Sequence, residues 1–292
     1  MSALLASVVI PTRNRHHSLR ETLTALAAQD MRDFEVVVID DGSAPPVTAD
    51  IVPSNAALDV RIINEENAGP SAARNRGARE ARGNILAFTD DDCRPRPQWL
   101  GRLTEELASH PKALVGSLTC NGLTGNNWST TSQLIVDLVY EHFNANTENA
   151  YFLTSNNFAC ARELFLETGG FDTEFALAGA EDRDFCDRWR LAHRPIRLIP
   201  EPLVDHYHAQ TFRKFLDLHY RYGRGAYLYQ AKRKRRGSGT MADDLGFHRA
   251  LLRSVPQRLK DSGPAASAGL LFGIGLWQIA NLAGFVSAAS ES

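Results

Sequence analysis

Short, nearly continuous apolar runs alternate with helical periodicity over the first 120 positions of the chain. Ser7–Pro11 reads as a strand, and Ser18–Ala28 as a helix with Leu19, Leu23 and Leu26 on one side. Val36-Val37-Val38-Ile39, inside Glu35–Asp40, suits a strand buried on both faces. Val60–Ile63 predicts a third strand. A helix follows over Ser71–Arg82, entered through Gly69-Pro70 and left at Gly83. Ile85–Thr89, Gln98–Ala108 and Ala113–Thr119 continue as strand, helix and strand. This alternation predicts an α/β fold with a mostly parallel, Rossmann-like sheet flanked by helices. Ligands of such sheets sit beyond the carboxyl ends of the strands. Those ends carry Thr12-Arg13, Asp40-Asp41 and Asp90-Asp91-Asp92, so the three polar clusters should converge.

The pattern then changes. Cys120–Asn149 is polar and irregular apart from a helical stretch over Gln133–Phe143, which predicts a loop-and-helix insert. Ile196–Ile199 and Leu203–His206 read as short strands, and Phe212–Tyr229 as an aromatic-rich helix. Lys232-Arg233-Lys234-Arg235-Arg236 reads as an exposed basic linker, with two helices after it. The expected organisation is a domain over 1–230, a linker over 231–240 and a helical, apolar C-terminal extension over 241–292. No charged residue lies between Asp261 and Glu291. That stretch is long enough for a bilayer span, which takes ~20 residues. Its Gly and Ala content, with Gln278 and Asn281, also suits a helix lying in a membrane interface or a buried packing helix.

Composition narrows the function classes. A net charge of −2 gives no footprint for nucleic-acid binding. Cys93, Cys120, Cys160 and Cys186 form no CxxC pair, which argues against a zinc site or a disulfide framework and for reduced packing cysteines in a cytosolic setting. The N-terminus shows no signal-peptide pattern.

The aspartate triplet carries the chemistry. Carboxylates at a strand end suit a divalent cation such as Mg2+ or Mn2+, whose other ligands are commonly substrate phosphates. The plainer alternative is an exposed acidic turn. Strand alternation points Asp90 and Asp92 the same way and Asp91 the other. Gly69-Pro70 before the Ser71–Arg82 helix offers free N–H groups and a favourable dipole to an anion. Arg74, one turn inside, is in reach of a nucleotide or diphosphate, or of a salt bridge to Asp40 or Asp90.

Six motifs in order resemble the family 2 glycosyltransferases, enzymes of the GT-A fold. They are Val8-Val9-Ile10-Pro11-Thr12-Arg13-Asn14-Arg15, Val38-Ile39-Asp40-Asp41-Gly42-Ser43, Asn67-Ala68-Gly69-Pro70-Ser71-Ala72-Ala73-Arg74-Asn75, Phe88-Thr89-Asp90-Asp91-Asp92, Gly169-Gly170-Phe171-Asp172 and Glu181-Asp182. The resemblance covers about residues 6–225. It implies an inverting, metal-dependent transfer of a sugar from a UDP-, dTDP- or GDP-sugar to a glycan or lipid-linked acceptor, in cell-envelope or polysaccharide synthesis.

The resemblance also distributes roles. Pro11, Thr12 and Arg13 would line the base and ribose, with a solvated loop charge as the alternative for Arg13. Asp40 and Asp41 would accept hydrogen bonds from base or ribose, Asp41 reading the base; a simple Asp-Gly turn is the alternative. Asn67 and Gly69 would belong to the same nucleotide site. Asp92 would be the metal ligand, completed by His206 or His208, with Asp90 on ribose or metal-bound water and Asp91 beside them. Asp182 would be the catalytic base next to Glu181, and Asn156 and Trp99 would face acceptor or donor sugar, with packing the stronger expectation for Trp99. The Q-x-x-R-W signature of processive synthases is absent: Arg188-Trp189 is present, but Phe185 stands where glutamine would. Single-sugar addition is therefore expected. The basic run ahead of the apolar stretch suits a peripheral contact with the inner face of the cell membrane. A nucleotidyltransferase and a non-catalytic nucleotide-sugar-binding module are the competing readings.

Overall fold

The computed structural model describes residues 5–54, 57–175, 179–241, 246–247, 250–251, 254–256 and 263–291. It forms two compact units. The first comprises residues 1–120, 147–176 and 181–207, and the second 121–146, 177–180 and 208–292.

The first unit is built on an eight-stranded sheet. Its strands are β1 (Ala6–Thr12), β2 (Phe34–Asp41), β3 (Asp59–Glu65), β4 (Ile85–Thr89), β5 (Cys93–Pro95), β6 (Leu114–Asn121), β7 (Asn157–Ala161) and β8 (Ile196–His206). The spatial order is β3-β2-β1-β4-β7-β6-β8-β5. β1 lies parallel to both β2 and β4, with Val8 opposite Val36 and Ala87. The order therefore reverses around β1, which places a ligand crevice beyond Thr12 and Thr89. β7 runs antiparallel to β4 and β6, and β5 antiparallel to β8.

Burial on both faces explains the apolar runs. Every residue of β2 is buried. Val36 and Val38 join Val8 and Ile10 under Leu19, Leu23 and Leu26 of α1 (His16–Ala27). Val37 and Ile39 face the other way onto Ala73 of α2 (Pro70–Glu80). α2 approaches closely because Gly77 has no side chain: a Cβ there would lie 2.4 Å from Val9 Cγ1. Helix α3 (Trp99–Ser109) adds Leu100, Leu103 and Leu107 to the first face. Beneath β4 an aromatic cluster gathers Phe88, Phe158, Phe165 and Phe171, with centroids 5.0 to 5.6 Å from Phe88. Phe185 of α6 (Glu181–Leu191) stacks on Phe158 at 5.8 Å. The strand bearing the aspartates and the helix bearing Glu181-Asp182 thus share one rigid floor.

Three differences from the expected elements stand out. Ile196–Ile199 and Leu203–His206 are one strand, β8, whose exposed Pro200-Glu201 does not break the ladder. β5 and β7 are additional strands that pair only with distant segments. The basic run Lys232–Arg236 is the last turn of a 25-residue helix, α7 (Phe212–Arg236), rather than a linker. That helix ends at Gly237, whose φ of 68° is the left-handed cap geometry glycine favours.

The second unit contains α4 (Asn127–Phe143), α7 and α8 (Pro264–Ser290). The Asn126 side chain caps α4, accepting from the N–H groups of Trp128 and Ser129. Trp128 packs on Phe212 and Phe215 at 5.3 and 5.2 Å. α7 and α8 touch backbone to backbone: a Cβ on Gly223 would lie 1.9 Å from the Asn281 carbonyl oxygen. Much of the stretch between residues 241 and 262 falls outside the described residues, and with it the first of the two helices expected after the basic run. α5 (Arg162–Glu167) completes the helices of the first unit.

Candidate active site

The carboxyl end of β2 is held by backbone. Asp40 is buried, and its carboxylate accepts from the Ser43 N–H at 2.9 Å and the Val47 N–H at 2.7 Å. It closes the loop after β2. Asp41 faces the loop before α2, accepting from Asn67 Nδ2 at 2.6 Å, Ala68 N–H at 2.6 Å and Gly69 N–H at 3.1 Å. Gly42 lets the two loops meet: its φ is 78°, and a Cβ would lie 3.0 Å from the Asn67 nitrogen. Asp40 and Asp41 thus divide as strand alternation requires, one onto its own loop and one toward α2.

The carboxyl end of β4 is held by cationic side chains. Asp90 accepts from Arg74 Nη2 at 2.6 Å. Asp91 is buried and accepts from Thr12 Oγ1 at 2.7 Å and Arg15 Nη1 at 2.8 Å. The same Arg15 nitrogen lies 2.8 Å from Asp92 Oδ2. The other Asp92 oxygen faces His206 Nε2 at 3.3 Å. His206 reaches this place because β8 pairs with β5, with His206 opposite Cys93. Burial pushes the Asp91 carboxyl up to about 6, against the pull of Arg15. Burial also opposes a charge on His206, but the Asp92 carboxylate outweighs it and raises its pKa.

Arg74 links this end to α6. It is buried, and its Nη1 lies 3.4 Å from Glu181 Oε1 while Nη2 holds Asp90. Of the two salt bridges considered for Arg74, the one to Asp90 forms. Asp182 follows Glu181 at the start of α6, with the Arg183 N–H donating to its Oδ1 at 2.7 Å. Burial, with the neighbouring Glu181 charge, pushes the Asp182 carboxyl up to about 7. A carboxylate so placed titrates where a general base works best near neutral pH.

Asp92, Cys93 and His206 bring one potential ligand atom each within 4.8 Å of one another. Burial raises the Cys93 thiol well above its usual range, so it stays protonated. A carboxylate and an imidazole remain, a donor set that accommodates Mn2+ or Mg2+ when substrate phosphates supply further oxygens. The residues present fit a divalent cation. His208 falls in the second unit, where its carbonyl accepts from Ser129 Oγ at 2.6 Å and its Nδ1 lies 3.1 Å from Gln210 Nε2.

The remaining candidates are less constrained. Pro11 is half-buried, and Arg13 is exposed at the end of β1. Asn156, half-buried in the turn before β7, accepts from Thr154 Oγ1 at 2.9 Å. Trp99 is wholly buried and donates to Asn157 Oδ1 at 2.8 Å, which is packing. The sequence reading assigned no role to Arg15 or Asn75, although both stand inside quoted motifs. Asn75 clamps the Gly169-Gly170-Phe171 turn through Phe171, accepting from its N–H at 2.8 Å and donating to its carbonyl at 2.7 Å. Burial of Asn75 and the proximity of Arg15 to two carboxylates are both invisible without the fold.

This sheet order defines a GT-A type α/β domain. The chain belongs to glycosyl transferase family 2, whose profile matches residues 7–171. It is similar to the pre-mycofactocin glycosyltransferase of Mycobacterium tuberculosis, 32% identical over 72% of this chain and 44% of that protein. It is also similar to the chondroitin synthase of Escherichia coli, 30% identical over 61% of this chain and 31% of that protein. The chain thus spans less than half the length of these curated relatives. Among solved structures, a mannosyltransferase from Pyrobaculum calidifontis, in complex with GDP-Man and Mn2+, shares the fold with a TM-score of 0.67. It is 20% identical, over 98% of this chain and 87% of that one.

Proposed function

We propose that the chain is an inverting glycosyltransferase that moves a sugar from a nucleoside-diphosphate sugar to an acceptor hydroxyl. The observation that carries this reading is the Arg74 bridge, which ties the Asp90–Asp92 strand end to the helix start bearing Asp182. Donor and acceptor chemistry need adjacent sites, and one buried guanidinium couples them.

Asp41, Asn67 and Gly69 hold the nucleoside end, with Pro11, Thr12 and Arg13 at the neighbouring strand end. Asp41 keeps its contacts with Asn67 and the loop N–H groups and accepts one further hydrogen bond from the base. Arg15 and Arg74 bring positive charge to the diphosphate side. Asp92 and His206 would hold a divalent cation, which would supply positive charge to the departing diphosphate. Asp182 accepts the proton of the acceptor hydroxyl as its oxygen attacks the anomeric carbon and the nucleoside diphosphate leaves. One displacement inverts the configuration. Asn156 and Glu181 border the sugar and the base. The acceptor is a glycan or lipid-linked sugar of cell-envelope or polysaccharide synthesis, reached from the cytoplasmic side. The GDP-Man and Mn2+ bound by the structural neighbour, and the polymer made by the chondroitin synthase its name describes, support these choices.

A thermal-shift panel of UDP-, dTDP- and GDP-sugars with and without Mn2+, followed by assay of nucleoside diphosphate release, tests the reading. Metal-enhanced binding of one donor with release of its diphosphate is expected. Pyrophosphate release from a nucleoside triphosphate and a sugar phosphate would identify a nucleotidyltransferase instead. Binding without turnover in the presence of broad acceptor pools would leave a binding module.

A further inference from the structure

The second unit carries an apolar surface that the transferase chemistry does not use. α8 has no charged side chain from Pro264 to Ser290 and is apolar on all sides. One side packs on α7 and α4, through Ile274, Trp277, Ala280 and Ala288. The opposite side bears Phe272, Ile279, Leu282 and Val286, each between 56% and 67% exposed. Spacings of three, four and seven residues place these four on one helical stripe. A stripe of this kind is larger than scattered surface hydrophobics require.

Beside it lies a groove of about 620 Å³ walled by Tyr227, Ala231, Met241 and Phe285, with Lys234 and Arg235 lining it as well. Phe285 sits three residues after Leu282 and one before Val286, so the groove continues the stripe. Lys234 and Arg235 are both exposed and lie in the last turn of α7, so they form a basic edge to the groove. An apolar face bordered by cations complements an anionic phospholipid surface, whose acyl region takes the apolar side chains and whose headgroups take the lysines and arginines.

α8 is long enough to cross a bilayer, yet its packing favours lying on one. Arg224 of α7 forms a two-pronged ion pair with Glu291 at 2.7 and 2.6 Å, and Tyr220 donates to Ser287 at 2.9 Å. A spanning α8 would carry this charged partner helix into hydrocarbon, at high cost. In the interface, α7 supplies the polar face that α8 lacks.

We propose that the second unit docks peripherally on an anionic phospholipid bilayer, through the exposed α8 stripe and the basic end of α7. The proposal is independent of the transferase reading. Its test is sedimentation of the full chain with vesicles of phosphatidylcholine alone or mixed with phosphatidylglycerol. Binding to the mixed vesicles, reversed by high salt and by alkaline carbonate, is expected. Lys234→Gln and Arg235→Gln should each weaken it about fivefold. Ile279→Gln with Leu282→Gln should abolish it while leaving the melting temperature and donor binding unchanged, because both side chains point outward. Equal, salt-insensitive binding to neutral vesicles, resistance to carbonate, or no vesicle binding would overturn the proposal. So would a stable dimer in light scattering that Ile279→Gln and Leu282→Gln dissociate, since a second copy would then cover the face.

Discussion

The ends of β2 and β4 both present adjacent aspartates, but they are restrained by different means. Asp40 and Asp41 are held largely by backbone N–H groups of loops that the same carboxylates shape. Asp90, Asp91 and Asp92 are held by Arg74, Thr12, Arg15 and His206, side chains drawn from three separate segments. A backbone-tied carboxylate fixes a loop and gives up its contacts only if the loop shifts. A carboxylate held by a half-exposed arginine can exchange that partner for a metal or a phosphate by a rotamer change. On the proposed function, the β2 end would be the rigid frame of the nucleoside site and the β4 end the part that responds to the donor. Arg74, which contacts both Asp90 and Glu181, would carry that response to α6.

Substitutions at each end can break this contrast. The largest loss is expected from Asp182→Asn, about 10²- to 10⁴-fold in kcat, because a general base contributes on that scale. In the native protein kcat/KM should rise with pH and level off above about 7, where Asp182 is ionised. The same residue has a stability signature. Its carboxyl is raised in the folded state, so its contribution to stability falls as pH climbs from the unfolded value near ~4 to about 7. Asp182→Asn should then melt higher than the native protein at pH 8, with the gap closing below pH 4. A variant that melts lower at pH 8 would argue against a buried, strained charge.

Asp92→Ala comes next, with roughly 10²- to 10³-fold lower donor turnover, since several kcal/mol of charge stabilisation depend on the cation it holds. Asp41→Asn should raise the donor KM about tenfold with kcat little changed, reflecting about 1.5 kcal/mol for one hydrogen bond to a charged group. The smallest kinetic effect belongs to Asp40→Ala. It should lower stability by about 2–4 kcal/mol, by leaving two buried N–H groups unpaired, while kcat of the folded fraction is unchanged. A large kcat effect at Asp40 with none at Asp92 would reverse the comparison between the two ends.

The parallel half of the sheet was legible because its strands are buried on both faces, which leaves continuous apolar runs such as Val36–Ile39. The convergence of polar residues was legible for the same reason: strand ends in such a sheet face one way. The antiparallel strands were not, because β5 is only Cys93–Pro95 and takes its place solely by pairing with β8. That pairing also decides which histidine meets Asp92, a choice no local pattern expresses. The end of α7 is not legible from pattern alone because a run of lysine and arginine suggests a solvated linker. Both residues are good helix formers, and Gly237 marks the stop. Arg15 reads as a loop charge until the fold places it between Asp91 and Asp92.

The most direct test of the central claim is Mn2+ binding, followed by electron paramagnetic resonance, in the native chain and in Asp92→Ala with the preferred donor present. The account predicts a bound-ion signal that strengthens with the nucleoside-diphosphate sugar and disappears in Asp92→Ala, while the variant retains its native melting profile. An unchanged bound-ion signal in Asp92→Ala would contradict it.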